Sequence, residues 1–291
     1  MASGAASDAV LLVCPRCRHV DGAGDLHLAT LRPRGHVLAC PCGARYPLVD
    51  GIPIVLADVA AWAETEGLEA LRRDVDDEIL ELLAPGGSAT TRNRALARVY
   101  AQAPASPFRT WISDELSRCA GPVLELGSGP GHPGTIRLDL NFRLLRLGGA
   151  AIPPCTDADG FARLPPGSGL VADALDPPFP PASFATVCVV NVLDSCRDPF
   201  TVLAQADALV RPGGTLIVTC AYAFDDSVTP RDKRFDASSL LGALSSGAAF
   251  GGFRLECRAQ RVVDPLPWTL SLGPRTAHVH QVQAIVAQKP G

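Results

Sequence analysis

Two groups of residues in this sequence have types and spacings that suit chemistry. The first is a set of four cysteines in two close pairs, Cys14-Pro15-Arg16-Cys17 and Cys40-Pro41-Cys42-Gly43. Two short cysteine turns brought face to face supply four thiolates, which satisfy tetrahedral zinc and close its coordination sphere. The expected role is therefore structural. A segment this small lacks the core to fold unaided, so the metal would contribute its folding free energy. The second turn is Cys-x-Cys, tighter than the usual Cys-x-x-Cys, and His36 is the alternative to one thiol.

The second group is a glycine turn and the acidic residues that follow it. Val123-Leu124-Glu125-Leu126-Gly127-Ser128-Gly129-Pro130-Gly131 reads as a strand running into Gly-x-Gly-x-Gly. Glycines there let the backbone turn sharply and approach a ligand closely. Alone, such a turn is explained equally well by backbone conformation. Three further features point to a ligand. Asp139 ends the next strand, where an acidic side chain can take both hydroxyls of a ribose. Asp173 follows the third strand in Val171-Ala172-Asp173-Ala174, at the same edge, and Arg211-Pro212-Gly213-Gly214 precedes the strand Thr215–Cys220. Parallel α/β sheets bind ligands at these carboxyl ends.

The elements that must position these groups fall into three parts: 1–60, a small β-rich zinc domain; 61–119, a helical linker or lid; and 120–291, an α/β domain. In the lid, Leu68, Leu71, Val75, Ile79, Leu82 and Leu83 recur at helical spacing, with an acidic, solvated opposite face. A second helix is expected over 92–103. A third starts at Ser106-Pro107, an N-cap followed by proline at the first helical position. From Gly121 onward, strands are expected at Val123–Leu126, Ile136–Leu140, Leu170–Ala172, Phe184–Val190 and Thr215–Cys220. Helices are expected near Asn141–Leu147 and Pro199–Val210. Short apolar strands alternating with helices imply a Rossmann-like, mostly parallel sheet with helices on both faces. The end reads as a helix over Asp236–Leu244 and two strands, Phe253–Arg258 and Val279–Ala287.

Composition narrows the class. The chain has 291 residues, 47% apolar and 19% charged, so it can bury a sizeable core, and disorder is excluded. A net charge of −4 argues against a protein devoted to gripping nucleic acid. In residues 1–58, five arginines (16, 18, 32, 34, 45) balance five aspartates. No apolar run is long enough to span a bilayer, and Met1–Val13 has no basic region typical of a signal peptide. The other six cysteines are scattered, as in a reducing compartment, and the expected location is cytoplasmic.

Two resemblances follow from these motifs. Residues 10–56, above all Cys14–Cys17 and Cys40-Pro41-Cys42-Gly43-Ala44-Arg45-Tyr46-Pro47-Leu48-Val49-Asp50-Gly51-Ile52-Pro53, resemble the zinc-ribbon activator subunit of tRNA and release-factor methyltransferases, a family that also occurs fused to methyltransferases. The cysteine turn one residue short is its departure. Residues 121–290 resemble class I S-adenosylmethionine-dependent methyltransferases, particularly the type 11 group that includes ubiquinone and menaquinone biosynthesis enzymes. The resemblance rests on Glu125–Gly131, Ile136–Leu140, Ala172–Pro180, Phe184–Leu193 and Leu209–Val218. It implies that Gly127, Gly129 and Gly131 line the methionine part of S-adenosylmethionine. Glu125 would hold its amino group, Asp139 the ribose, and Asp173 with Ala174 the adenine. Asn191 would sit beside the substrate mouth. Asp194 and Tyr222 are the candidate catalytic groups, with ordinary capping and packing roles as alternatives. His278 and His280 share a strand face, where a structural role is favoured over metal binding.

One departure concerns the cofactor. Seven residues separate Gly131 from Asp139, where the family has a full helix, and His132-Pro133-Gly134 cannot hold one. The helix is lost, or the pocket is partly open and closed by the lid, or the protein binds no cofactor. The acceptor is narrowed by two absences. Asn191-Val192-Leu193-Asp194 lacks the Pro-Pro-aromatic motif of DNA and protein-glutamine N-methyltransferases, and no Pro-Cys nucleophile is present. The first reading is therefore transfer to a small molecule. The second is RNA methylation with the ribbon contacting substrate, and the third is a non-catalytic partner protein that uses the ribbon as an interface.

Overall fold

The computed structural model describes residues 8–64, 106–273 and 275–291. The helices expected over 68–83 and 92–103 lie outside the described residues.

The N-terminal part is built of short strands: β1 (Val10–Leu11), β2 (His19–Val20), β3 (Leu26–His27), β4 (Arg32–Arg34), β5 (Val37–Ala39), β6 (Arg45–Val49) and β7 (Ile52–Pro53). Strands β4 to β7 form an antiparallel four-stranded sheet, and β2 and β3 a separate hairpin. This is the β-rich ribbon the cysteine spacing implies. It ends in α1 (Val59–Trp62), capped by Asp58, whose carboxylate accepts from Ala61 N.

The next described helix is α2 (Pro107–Ser117). Its N-cap is Ser106, whose hydroxyl accepts from Arg109 N, with Pro107 in the first turn. The α/β unit follows as β8 (Val123–Leu126), β9 (Ile136–Asp139), α3 (Phe142–Leu147), β10 (Cys155–Thr156), β11 (Ala162–Leu164), β12 (Gly169–Val171), β13 (Phe184–Val190), α4 (Pro199–Leu209), β14 (Val210–Cys220), α5 (Ala237–Ser246), β15 (Arg258–Gly273) and β16 (Thr276–Gln288). Seven of these strands form one sheet in the order β12-β9-β8-β13-β14-β16-β15. The first five run parallel, and β16 and β15 antiparallel. The strand order reverses direction between β8 and β13, the switch point where such sheets bind ligands.

Alternation along the strands divides the core between two faces. Val123, Cys188 and Ile217 pack with Ile112 of α2. Leu124, Leu126, Val187, Val189, Leu216 and Val218 pack toward α4 and α5 with Val202, Leu203, Leu240 and Leu244. Both faces are thus covered, as near-continuous apolar strands require.

The ribbon is joined to this sheet. Strand β1 pairs antiparallel with β11, Ile54 bridges Val171 in parallel, and Val55 N donates to Val171 O. Its core residues Leu12, Leu31 and Leu38 are continuous with the sheet's own.

Two expectations need correction. The strand expected at Phe253–Arg258 does not form. The amides of Glu256 and Cys257 donate to the Asp207 carboxylate on α4, which anchors the segment as a loop. The true strand runs from Arg258 to Gly273 and contains Pro265 and Pro267. Prolines are tolerated there because β15 is an edge strand with one partner. The Arg211–Gly214 stretch lies within β14 as a bulge: Phe184 pairs with Val210, but Thr186 with Thr215.

Candidate active site and metal cluster

The carboxyl ends of β8, β9, β12, β13 and β14 bring the expected cofactor residues to one edge. The connection from β8 to β9 contains no helix, as its sequence requires. Gly127, Gly129 and Gly131 all take left-handed backbones, with φ of 61°, 56° and 61°. Gly129 N donates to Asp139 Oδ2 at 2.7 Å, and Asn141 N to Oδ1 at 2.8 Å. Burial at the base of the loop pushes the Asp139 carboxyl above its ordinary range, opposed by those two amides. A carboxylate has roughly four lone-pair sites, so two remain for a ligand.

Glu125 is buried behind the turn. Its carboxylate accepts from His132 N at 2.8 Å and from the Thr135 hydroxyl, and it pairs with His132 Nδ1 at 2.9 Å. The direct partner of Glu125 here is thus His132, which occupies the position where a ligand ammonium would be expected. Asp173 accepts from Leu175 N at 2.9 Å and from Arg197 at 2.8 Å, with Ala174 between strand and loop.

Asn191 ends β13 with φ +52°, a strained conformation that asparagine tolerates better than most residues. Its Oδ1 accepts from the Thr219 hydroxyl at 2.9 Å, while its Nδ2 is buried with no hydrogen-bond partner among the described residues.

Asp194 and Tyr222 are placed differently from a solvent-facing acid–base pair. Asp194 is buried and accepts from Ala223 N at 3.1 Å, which fastens the loop after β14. Tyr222, at φ +56°, donates to Gln283 Oε1 at 2.6 Å, and Gln283 in turn donates to Asp264. Burial pushes the Tyr222 hydroxyl well above its ordinary pKa, which suits a donor rather than a base. His278 and His280 lie on the β15–β16 hairpin, where His280 stacks near Trp268 at 5.3 Å between ring centroids.

The four N-terminal cysteines converge. The Sγ atoms of Cys14, Cys17, Cys40 and Cys42 all lie within 4.8 Å of one another, and His36 is not in the group. Cys14–Cys42 are 4.0 Å apart and Cys17–Cys40 3.5 Å. A tetrahedron with Zn–S bonds of about 2.3 Å has edges of roughly 3.8 Å, so the donor set fits zinc despite the short second turn. The Ala44 amide, helped by the Cys17 and Cys40 thiols, holds Cys42 down at about 7, while burial pushes Cys40 up to about 11. The Tyr46 hydroxyl lies 3.0 Å from Cys14 Sγ, a supporting contact around the cluster.

Sequence reasoning missed two arginines that bind these parts together. Arg18, next to Cys17, donates to Asp176 Oδ1 at 2.8 Å and to the carbonyls of Pro177 and Phe179, in the loop after Asp173. Arg137 sits beneath the glycine turn. Its signal was in view: a charged residue inside the buried strand Ile136-Arg137-Leu138.

Residues 155–218 match the family described as a methyltransferase domain. The matched stretch covers β10 to most of β14 and lies beyond the glycine turn and Asp139. No curated protein matches the chain. Among solved structures, a SAM-dependent methyltransferase from Methanosarcina mazei is 16% identical with a TM-score of 0.41, covering 62% of this chain and 97% of that one. Geranyl diphosphate C-methyltransferase from Streptomyces coelicolor is 12% identical with a TM-score of 0.38, covering 62% and 74%. A complex of a methyltransferase activator with a methyltransferase from Haloferax volcanii gives 14% and 0.38, covering 62% and 88%. The family match spans 64 of the chain's 291 residues. Among the described residues, no helix is long and apolar enough to cross a membrane.

Proposed function

We propose that this protein transfers a methyl group from S-adenosylmethionine to a small-molecule acceptor in the cytoplasm, with a zinc ribbon that braces the cofactor edge of the sheet. The observation that carries the reading is the apposition of Gly129 N and the Asp139 carboxylate at the end of β9, 2.7 Å apart. In this reading Asp139 holds the ribose, Asp173 and Ala174 the adenine, and Gly127, Gly129 and Gly131 the methionine portion. Glu125 receives the amino group after His132 yields.

The bound sulfonium supplies an activated methyl group, so the chain's own residues have mainly to orient the acceptor and exclude water. Asn191 Nδ2 offers the acceptor a hydrogen-bond donor. Asp194 fixes the 222–223 backbone, and Tyr222 is held by Gln283, so both position the acceptor wall. Cys14, Cys17, Cys40 and Cys42 would hold zinc in a closed sphere, which gives it structure rather than reactivity.

Arg18 is spent on the 176–179 loop, and Arg32, itself exposed, donates to Asp159 O and lies 4.1 Å over the Phe161 ring. Arg16, Arg34 and Arg45 are exposed, so RNA retention at low salt that Arg32/Arg34→Glu abolishes would favour the RNA reading. Calorimetry of the full chain with S-adenosylhomocysteine tests cofactor binding, and a metabolite screen for methyl acceptance tests the acceptor class. No binding at millimolar ligand would sink the proposal and favour a non-catalytic partner.

A further inference from the structure

A helix packed behind the glycine turn normally fixes it in a doubly wound sheet. This chain has no residues for one, yet the turn is well formed. Arg137 lies where the support is missing. It is 2% exposed, on β9, the second strand of the sheet, and its guanidinium reaches back under the turn. Nη1 donates to Pro130 O at 3.1 Å and Gly148 O at 2.5 Å, and Nη2 to Gly167 O at 2.6 Å.

Those carbonyls belong to three separate segments: the glycine turn, the end of α3, and the loop entering β12. All are backbone acceptors, so the site answers to the planar fork of the guanidinium and not merely to its charge. The fit leaves no spare volume. A Cβ at Gly131 would lie 2.4 Å from Arg137 Cδ, and one at Gly148 would lie 1.9 Å from Pro130 O.

We propose that Arg137 is the positioning residue of the cofactor loop: by joining the carbonyls of Pro130, Gly148 and Gly167 it holds the Gly127–Gly131 turn in its binding shape, in place of the absent helix. The inference rests on the reading that this turn binds S-adenosylmethionine, and it adds the residue that keeps the turn competent.

The test compares the full-length protein with Arg137→Lys, Arg137→Ala and Gly148→Ala. Gly148 has φ −73°, so alanine is allowed by the backbone and acts through its clash with Pro130 O and Arg137 Nη1, the two ends of the contact under test. Hydrogen exchange is followed at the amides of 129–132 and of the β15–β16 hairpin, and S-adenosylhomocysteine affinity by calorimetry. Arg137→Lys keeps the charge and loses the fork. It is expected to weaken binding by about tenfold, the scale of one charged hydrogen bond, and to lose protection at 129–132 while the hairpin keeps it. Ethylguanidinium at millimolar concentration is expected to restore part of the binding to Arg137→Ala. If the arginine variants fail to fold, Gly148→Ala is expected to show the same local loss.

Wild-type affinity and loop protection in folded Arg137→Lys would overturn the proposal. So would an even loss of protection across the whole sheet, which marks a core role alone. If the wild-type protein binds no S-adenosylhomocysteine, the functional reading fails, and the exchange pattern at 129–132 still decides whether Arg137 holds the turn.

Discussion

Glu125 and Arg137 are register partners on the neighbouring parallel strands β8 and β9, and they grip the same loop with opposite chemistry. Glu125 takes the amide of His132, and Arg137 takes the carbonyl of Pro130. A loop too short for a helix is thereby fixed by two buried side chains of opposite charge. Asp139 adds a third tie through Gly129 N. The glycine turn is held by side chains where a longer connection would use packing.

Asp139→Ala is expected to weaken S-adenosylhomocysteine binding by more than about tenfold, because a hydrogen bond to a charged group is worth about 1.5–3 kcal/mol. Calorimetry at neutral pH reads it directly. Unchanged affinity would place the ribose elsewhere.

The same residue predicts a pH dependence. Ribose hydroxyls donate to the ionised carboxylate, and burial raises the pKa of Asp139 above the usual carboxylate range. Affinity should therefore be full at neutral pH and fall on acidification earlier than an ordinary aspartate would allow. Asp139→Asn should remove that component of the profile, leaving weak and flatter binding. A wild-type profile that stays level down to ordinary carboxylate pKa values would contradict the assignment.

The sequence made the cysteine cluster and most parallel strands legible, for simple reasons. Thiol spacing is a local property, and Phe184–Val190 is an apolar run bounded by turns. The cap at Ser106 was readable because a short polar side chain before a helix satisfies its free amides. What failed depended on partners far along the chain. Residues 253–258 look like a strand until Asp207, some fifty positions earlier, takes their amides. Pro265 and Pro267 argue against a strand unless it is known to lie at an edge. Nothing local says that Arg18 will reach Asp176, or that Arg137 will reach three carbonyls.

Asp236 offers a stability test separate from the site. It caps α5, accepting from Ser239 N at 2.8 Å and from the hydroxyls of Ser238 and Ser239, which lower its pKa to about 2. A carboxyl whose folded pKa is depressed stabilises above its unfolded pKa of about 3.9 and loses that contribution as pH falls through the folded value. Asp236→Ala should therefore melt lower than wild type at neutral pH. The gap should narrow as pH falls from about 4 to about 2. A gap that is constant with pH would mean that the ionised cap contributes nothing.

Elemental analysis is expected to give about one zinc per chain. Chelation should unfold the ribbon, since a site of this kind supplies its own folding free energy. Cys42→Ser should lower metal affinity, because it removes the most readily ionised of the three cluster thiols whose shifts are resolved. His36→Ala should leave stoichiometry unchanged, as His36 stands outside the cluster. A folded, metal-free ribbon resistant to chelator would refute the site.

Arg18 should couple the ribbon to the cofactor edge. Its guanidinium ties Asp176 and two loop carbonyls, and it opposes the burial that raises the Asp176 carboxyl. Asp173 lies three residues earlier in the same loop. Arg18→Ala leaves those acceptors without their donor and is expected to cost about 1–3 kcal/mol, discounted toward the lower figure because Asp176 is 39% exposed. Thermal unfolding reads this loss. Calorimetry should show a parallel, smaller fall in S-adenosylhomocysteine affinity through the displaced Asp173. Arg16, exposed on the same cysteine turn, makes none of these contacts, so Arg16→Ala should alter neither quantity. Equal melting of the Arg18→Ala and Arg16→Ala proteins would mean that the ribbon and the α/β unit are held by their other contacts, among them the β1–β11 pairing, the Ile54–Val171 bridge and the Val55–Val171 hydrogen bond.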